Sequence, residues 1–211
     1  MIGLVSYLVF FAIVASILAI AVLGLNLQWG NTGLFNGGVV AFFGAGAYGT
    51  LILGGGPQDG QLGGFGLFYP LALLGGMATA GLLAWGVGIL TLRLRHDYLA
   101  ISTFGIAVAF ENLMRNAQWL GGGAQGLRGF DRPLRAALGD GFLYNILFLL
   151  CVLVLLVLTY RFLETLVASP FGRQLRAIRE DETAARSLGK TPARIRLTAF
   201  VTGSVIMGLA G

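Results

Sequence analysis

SPFGRQLRAIREDETAARSLGKTPARIR, Ser169 to Arg196, is a basic stretch held between two apolar runs. Ser169-Pro170 reads as a helix start, because serine caps free amides and proline is tolerated at the first helical position. Leu175, Ile178, Ala185 and Leu188 fall on one helical face, while Arg173, Arg176, Arg179 and Arg186 lie mainly elsewhere. Gly189 is a natural terminator, and Thr191-Pro192 starts the next helix by the same capping logic. The expectation is one polar helix from Ser169 to Leu188, amphipathic and rigid, tied at both ends to apolar segments. Two readings stay open on this pattern: docking onto a soluble partner, or lying on anionic lipid.

The flanks decide the fold class. Phe142 to Tyr160 is a continuous apolar run of the length a membrane span needs, about 20 residues. Leu197 to Gly211 begins another and stops short of that length. Further upstream, Leu4 to about Leu27 and Leu67 to Leu92 read as spans. Val39 to Leu53 is apolar but short. Tyr98 to about Phe110 is an apolar helix that turns polar at Glu111. Between these lie a polar glycine-rich stretch, Asn31 to Gly38, and a loop with seven glycines, Gly54 to Gly66. A charged turn holds Arg93, Arg95, His96 and Asp97, and a long loop runs from Asn112 to Gly141. The fold class is an all-α, polytopic transmembrane bundle. The short last run reads as a span cut in mid-helix, with residues 1–211 one membrane domain.

Composition agrees. Hydrophobic residues make up 56% of the chain and charged residues 11%, against about 25% charged in soluble domains. The net charge of +5 comes from basic residues beside apolar spans, which excludes a nucleic-acid surface. The N-terminal stretch MIGLVSYLVFF lacks a charged leader and a small-residue cleavage site, so it reads as a retained span. The single cysteine, Cys151, lies inside an apolar run and reads as a small core residue. Arg161 to Arg196 carries eight Lys or Arg residues, which places it on the cytoplasmic side by the positive-inside rule. The Arg93/Arg95 turn falls on that side too, whereas Arg115, Arg128, Arg132 and Arg135 break the rule on the other.

Gly76, Ala80, Ala84 and Gly88 recur every four residues, a small-residue stripe for close helix contact. Gly44, Ala45, Gly46, Ala47 and Gly49 form a second such cluster. Within the apolar spans no residue is ionisable, which argues against a proton relay. One histidine, one cysteine and no paired carboxylates in the spans leave no catalytic or metal-binding set. His96 reads as solvated, Asp97 as a helix cap, and Glu111 with Arg115 as an i,i+4 pair. Work against a gradient must therefore be driven by another protein. Asn31, Thr32, Gly33 and Asn36 mark a broken helix beside a possible substrate path, where freed amides would meet a carboxylate. The alternative for that stretch is an interfacial turn.

Four ordered matches now bear on function. Glu182-Thr-Ala184-Ala185-Arg-Ser-Leu-Gly189 resembles the EAA loop of ABC importer permeases. The longer string to Phe200 resembles permeases of the branched-chain amino-acid importer family, in the LivM-like branch. GLNLQWGNTGLFNGGVVAFFGAGAYGT, Gly24 to Thr50, is similar to that family's early glycine-rich region, LRLRHDYLAISTFG, Leu92 to Gly105, to its next segment, and GGGAQGL, Gly121 to Leu127, to its outer loop. The chain departs from many relatives at Asn36-Gly37-Gly38-Val39, where those have Ser-Leu-Gly-His, and at Val108 and Glu111.

The resemblance implies a non-catalytic subunit of an ATP-driven importer in the bacterial inner membrane. Its cargo would be branched-chain or other neutral amino acids, with urea or short amides as the variant on the same fold. Its partners would be a cytosolic ABC ATPase, a second permease subunit, an external solute-binding protein and membrane lipid, with no nucleic acid. This chain would bind no cofactor, and the partner would use ATP. Glu182, Ala184, Ala185 and Gly189 would be the docking core, with Glu182 meeting an ATPase cation and Pro170 to Gly189 acting as the lever. A passive facilitator is the reading from another class.

Overall fold

The computed structural model describes residues 2–56, 62–92, 96–123, 126–127 and 141–211. The Arg93/Arg95 turn, Pro57, Asp59, Ala124, Gln125 and the loop arginines Arg128, Arg132 and Arg135 lie outside them, as do the side chains of His96 and Asp97.

The described residues form helices joined by turns, and no strand is among them. In chain order they are α1 (Ile2–Thr32), α2 (Val39–Gly54), α3 (Tyr69–Thr91), α4 (His96–Asn116), the single turn α5 (Gln118–Gly121), α6 (Phe142–Ala168), α7 (Pro170–Glu180), α8 (Glu182–Ser187) and α9 (Pro192–Ala210). Four of them, α1, α3, α6 and α9, are long and apolar enough to cross a membrane. The chain is an all-α, multi-pass membrane protein.

Small residues set the packing. The α3 stripe is buried along its whole length, with Ala80 and Ala84 at 0% exposure. A side-chain carbon on Gly76 would run into Thr50 and the Gly46 carbonyl, and one on Gly88 into Leu197 and Phe200. The 44–49 cluster closes the same contact from the other side, with Ala45, Gly46 and Gly49 buried. Helix α9 is the centre of the bundle and touches α1, α2 and α3. Phe42, Phe200 and Met207 fill the space between them, Phe42 and Phe200 edge to face at 5.5 Å. Helix α6 packs mainly on α1. Its large apolar side chains, among them Leu150, Val154 and Leu158, face outward, as a lipid-facing helix requires. Cys151 is on that outer face. The expected core role for it is therefore corrected: the turn it occupies points away from α1.

Three helices run further than the apolar pattern. Helix α1 continues past Leu27 through Gln28, Asn31 and Thr32, because Gln28 and Thr32 are both fully buried and hydrogen-bonded. Helix α6 continues past Tyr160 to Ala168, carrying an Arg161–Glu164 pair at 3.2 Å. Its 27 residues give about 40 Å at the helical rise, beyond a hydrocarbon core of about 30 Å. Helix α9 starts at Pro192, as the Thr191-Pro192 pattern implies and ahead of the apolar run from Leu197, so Arg194 and Arg196 are helical and the helix reaches 19 residues.

Pairings fix the two ends of the bundle. Gly24 meets Gly203 and Gln28 meets Phe200, so α1 and α9 are antiparallel. Gly49 meets Gly76, and Gly54 meets Ala72, so α2 and α3 form an antiparallel hairpin. Thr103 sits against Gly37 and Phe110 against Gly44, so α4 runs parallel to α2. The 33–38 break, the start of α4, the end of α6, and helices α7 and α8 thus share one end. The opposite end holds the Leu62–Trp119 backbone bond and the start of α3.

Candidate functional site

The polar segment is built as two helices. Ser169 Oγ accepts from the Phe171 amide at 3.2 Å and Pro170 opens α7. Leu175 and Ile178 are buried, and Gly172 packs so closely on the Val167 backbone that no side chain fits there. Helix α7 stops at Glu180. Asp181 is extended, and its Oδ1 accepts from the amides of Thr183 at 2.8 Å and Ala184 at 3.0 Å, opening α8. The single helix expected over Ser169 to Leu188 is thereby corrected. An aspartate with two amides within reach is a better N-cap than a helix-interior residue. Gly189, at φ +75°, ends α8: its amide donates to Arg186 O and that of Lys190 to Ala185 O, at 2.9 and 3.2 Å. This crossed pair is the Schellman arrangement, which favours glycine at the left-handed position.

The four expected docking residues separate by direction. Ala184 and Gly189 are exposed, whereas Ala185 is 4% exposed and faces the bundle. Leu188, expected on one face with Ala185, is 79% exposed at the tip of the segment while Ala185 is buried; the chain leaves the helix at this residue, so the helical periodicity no longer places it. Glu182 is bound within the chain. Its Oε1 meets Arg186 at 2.6 Å and its Oε2 meets Arg196 of α9 at 2.7 Å. Partial burial pushes this carboxyl up, but Arg196 and Arg186 outweigh it and hold it below the usual 4.5. Glu182 thus has two cations within the chain, one from its own helix and one from α9.

At the same end of the bundle, Gly33 at φ +73° terminates α1. Its amide and that of Leu34 turn back to the carbonyls of Trp29 and Gln28, each at 3.0 Å. Thr32 donates to the Gln28 carbonyl. Asn31, half-buried, donates to Asn26 O at 3.3 Å. Asn36 is buried at 1% exposure; its Nδ2 donates to Gln28 Oε1 and its Oδ1 accepts from the Gly38 amide, both at 2.8 Å. The Gly37 amide donates to Thr103 Oγ1 at 3.0 Å. A side-chain carbon on Gly37 or Gly38 would sit 2.9 or 2.6 Å from carbonyls of α4. Asn36-Gly37-Gly38 is therefore the seat on which α4 rests, and the amides of Gly37 and Gly38 already have acceptors.

Gln28 is the residue that sequence reading missed. Its Nε2 donates to Phe200 O at 2.7 Å and to Ser204 Oγ at 3.0 Å across α9. Arg179 of α7 donates to the carbonyl of Gly30 on α1. Beside this contact, a cleft of about 220 Å³ opens between α1 and α6, with Asn26, Asn31, Tyr160 and Glu164 at its polar edge. A second, of about 180 Å³, lies between α2 and α4, with Tyr48, Phe110 and the Glu111–Arg115 pair (2.8 Å) on its wall.

Comparison with known proteins places this geometry. Residues 7–211 match the family model described as "Branched-chain amino acid transport system / permease component". The chain is 36% identical over 219 residues to the "High-affinity branched-chain amino acid transport system permease protein LivM" of Escherichia coli strain K12, covering 90% of this chain and 48% of the relative. The protein of that name in Salmonella typhimurium is 36% identical over 214 residues, with the same coverage. The "Probable branched-chain amino acid transport permease protein LivM" of Methanocaldococcus jannaschii is 32% identical over 120 residues, 56% of this chain and 34% of the relative. The chain thus spans about half the length of the first two relatives. No solved structure matches it.

Proposed function

Because the chain belongs to the family of branched-chain amino acid transport system permease components, we propose that it is a permease subunit of an ATP-driven ABC importer. Its cargo is a branched-chain or similar neutral amino acid, and its seat is the bacterial inner membrane. The chain performs no catalysis and holds no cofactor; a cytosolic ATPase uses ATP and docks on residues 169–196. A second permease subunit completes the path, and an external solute-binding protein delivers the solute.

The observation that carries this reading is the form of α8. It is capped at both ends, presents Ala184, Leu188 and Gly189 outward, and is tied to membrane helix α9 through Glu182 and Arg196. A short exposed helix fixed to a span is suited to carry a push. A purely lipid-bound helix would turn its apolar face to the bilayer, whereas Leu175 and Ile178 of α7 are already buried in the bundle.

The test is capture of the ATPase by the full-length protein. Wild type should retain it, and Gly189→Trp and Leu188→Asp should release it while still inserting in the membrane. Equal retention by all three, or none by wild type, returns the segment to the lipid surface and the protein to a passive facilitator.

A further inference from the structure

Two polar ties leave helices α7 and α8: one reaches the last turn of the broken helix α1, the other the start of α9. The first runs from α7: Arg179 donates to the Gly30 carbonyl in the last turn of α1. Carbonyls there have no intrahelical donor, and a cation at a helix C-terminus is favourable. The second runs from α8: Glu182 binds Arg196, whose side chain is only 11% exposed at the start of α9. Helices α1 and α9 are then joined to each other by Gln28, which is 0% exposed. Both of its amide donors are used on α9, and its carbonyl accepts from Asn36 in the break.

Gln28 has no room to shift independently. A side-chain carbon on Gly203 would lie 2.7 Å from Gln28 Cγ and 2.6 Å from the Gly24 carbonyl, so α1 and α9 are in backbone contact at this level. An apolar residue would fill the space at less desolvation cost. A buried amide with every partner supplied favours one register between two helices.

We propose that Arg179 and Gln28 are positioning residues that make the 33–38 break follow α7 and α8, so that a movement of the polar segment changes access at the break. The inference rests on the importer reading. Helix α7 pulls the end of α1 through Arg179, α8 moves the start of α9 through Glu182, and Gln28 keeps the two displacements in step where Asn36 and the glycine seat of α4 lie.

The test uses the full-length protein with its ATPase in vesicles, in a Cys151→Ala background carrying Phe35→Cys, since Phe35 is an exposed residue of the break. Thiol labelling is measured with and without ATP and vanadate. In the parent, trapping should change the labelling rate several-fold. Arg179→Met keeps the stem and loses the donors; it should remove most of that change, about three- to tenfold, with ATPase capture intact, while Arg179→Lys restores it. Gln28→Leu should do the same, and Ser204→Ala gives a milder version should the leucine variant fail to insert. A parent-like response in Arg179→Met and in the Gln28 or Ser204 variant overturns the proposal. A parent that captures ATPase but shows no labelling change overturns it while leaving the importer reading standing; a parent that captures none removes both.

Discussion

At the residue scale, glycines carry the close contacts, and Glu182 carries the ion pair that ties α8 to α9. Gly203→Leu would put carbon 2.6 Å from the Gly24 carbonyl and should cost about 1–3 kcal/mol, read as earlier thermal unfolding in detergent. Gly86→Leu, with open space around it, should leave the transition where it is. Gly189→Ala should cost about 1–2 kcal/mol for its left-handed backbone, and Gly189→Asn should recover much of it; protease sensitivity after Arg186 reads both. The Glu182 carboxyl is lowered from 4.5 on folding, so its contribution is complete above that value and is lost as pH falls through the lower folded one. Amide exchange in α8 should therefore be steady from neutral pH down to about 4.5 and accelerate only below it, beyond the intrinsic trend; Glu182→Gln should show the loosened state already at neutral pH.

At the scale of elements, the break at Asp181 sets the behaviour of the polar segment. Asp181→Ala removes both cap bonds to α8 and should cost about 1 kcal/mol. The expected outcome is weaker ATPase capture and faster exchange in α8, with α7 unaffected and Asp181→Asn close to wild type. Much of this architecture is legible in the sequence. The apolar runs locate α3 and the main part of α6, and the every-fourth small residues of α3 are buried as their spacing requires. Glu111 and Arg115 pair as their i,i+4 spacing implies. The last helix opens at Pro192, as the Thr191-Pro192 pattern implies. Less legible is the polar continuation of α1, because a glutamine in a helix gives no local sign of the partner that keeps it there. Gln28 finds Ser204 across 176 positions, and only tertiary packing reveals it. The Asp181 cap is readable, since aspartate ahead of an acidic first turn is a helix-start pattern, but an apolar face shared by Leu175, Ile178 and Ala185 implies one continuous helix. The docking residues were legible as a motif and not as directions: Ala184 and Ala185 are neighbours in sequence, yet the first is exposed and the second buried.

At the scale of the whole molecule, the helix directions give a sidedness that chemistry can check. In the Cys151→Ala background, Phe35→Cys and Arg186→Cys should react with an impermeant thiol reagent from one side of the membrane, and Gln118→Cys from the other. Labelling of Phe35→Cys and Gln118→Cys from the same side would mean that α2, α3 and α4 do not all traverse. The position of α9 has a further consequence for biogenesis. Half of its apolar window is buried, against 17% for α6, yet it is translated after every other helix described here. Until residues 192–210 leave the ribosome, α1, α2 and α3 wait in the bilayer with the glycine surfaces meant for α9 open to lipid. Helix α2, with 16 residues, covers only about 24 Å and must enter the bilayer as a hairpin with α3. Nascent chains stalled before α9 would thus be inserted but unassembled, exposed for that interval to the membrane's quality-control proteases, and the joining of α1 to the α2–α3 hairpin would be gated by the arrival of α9.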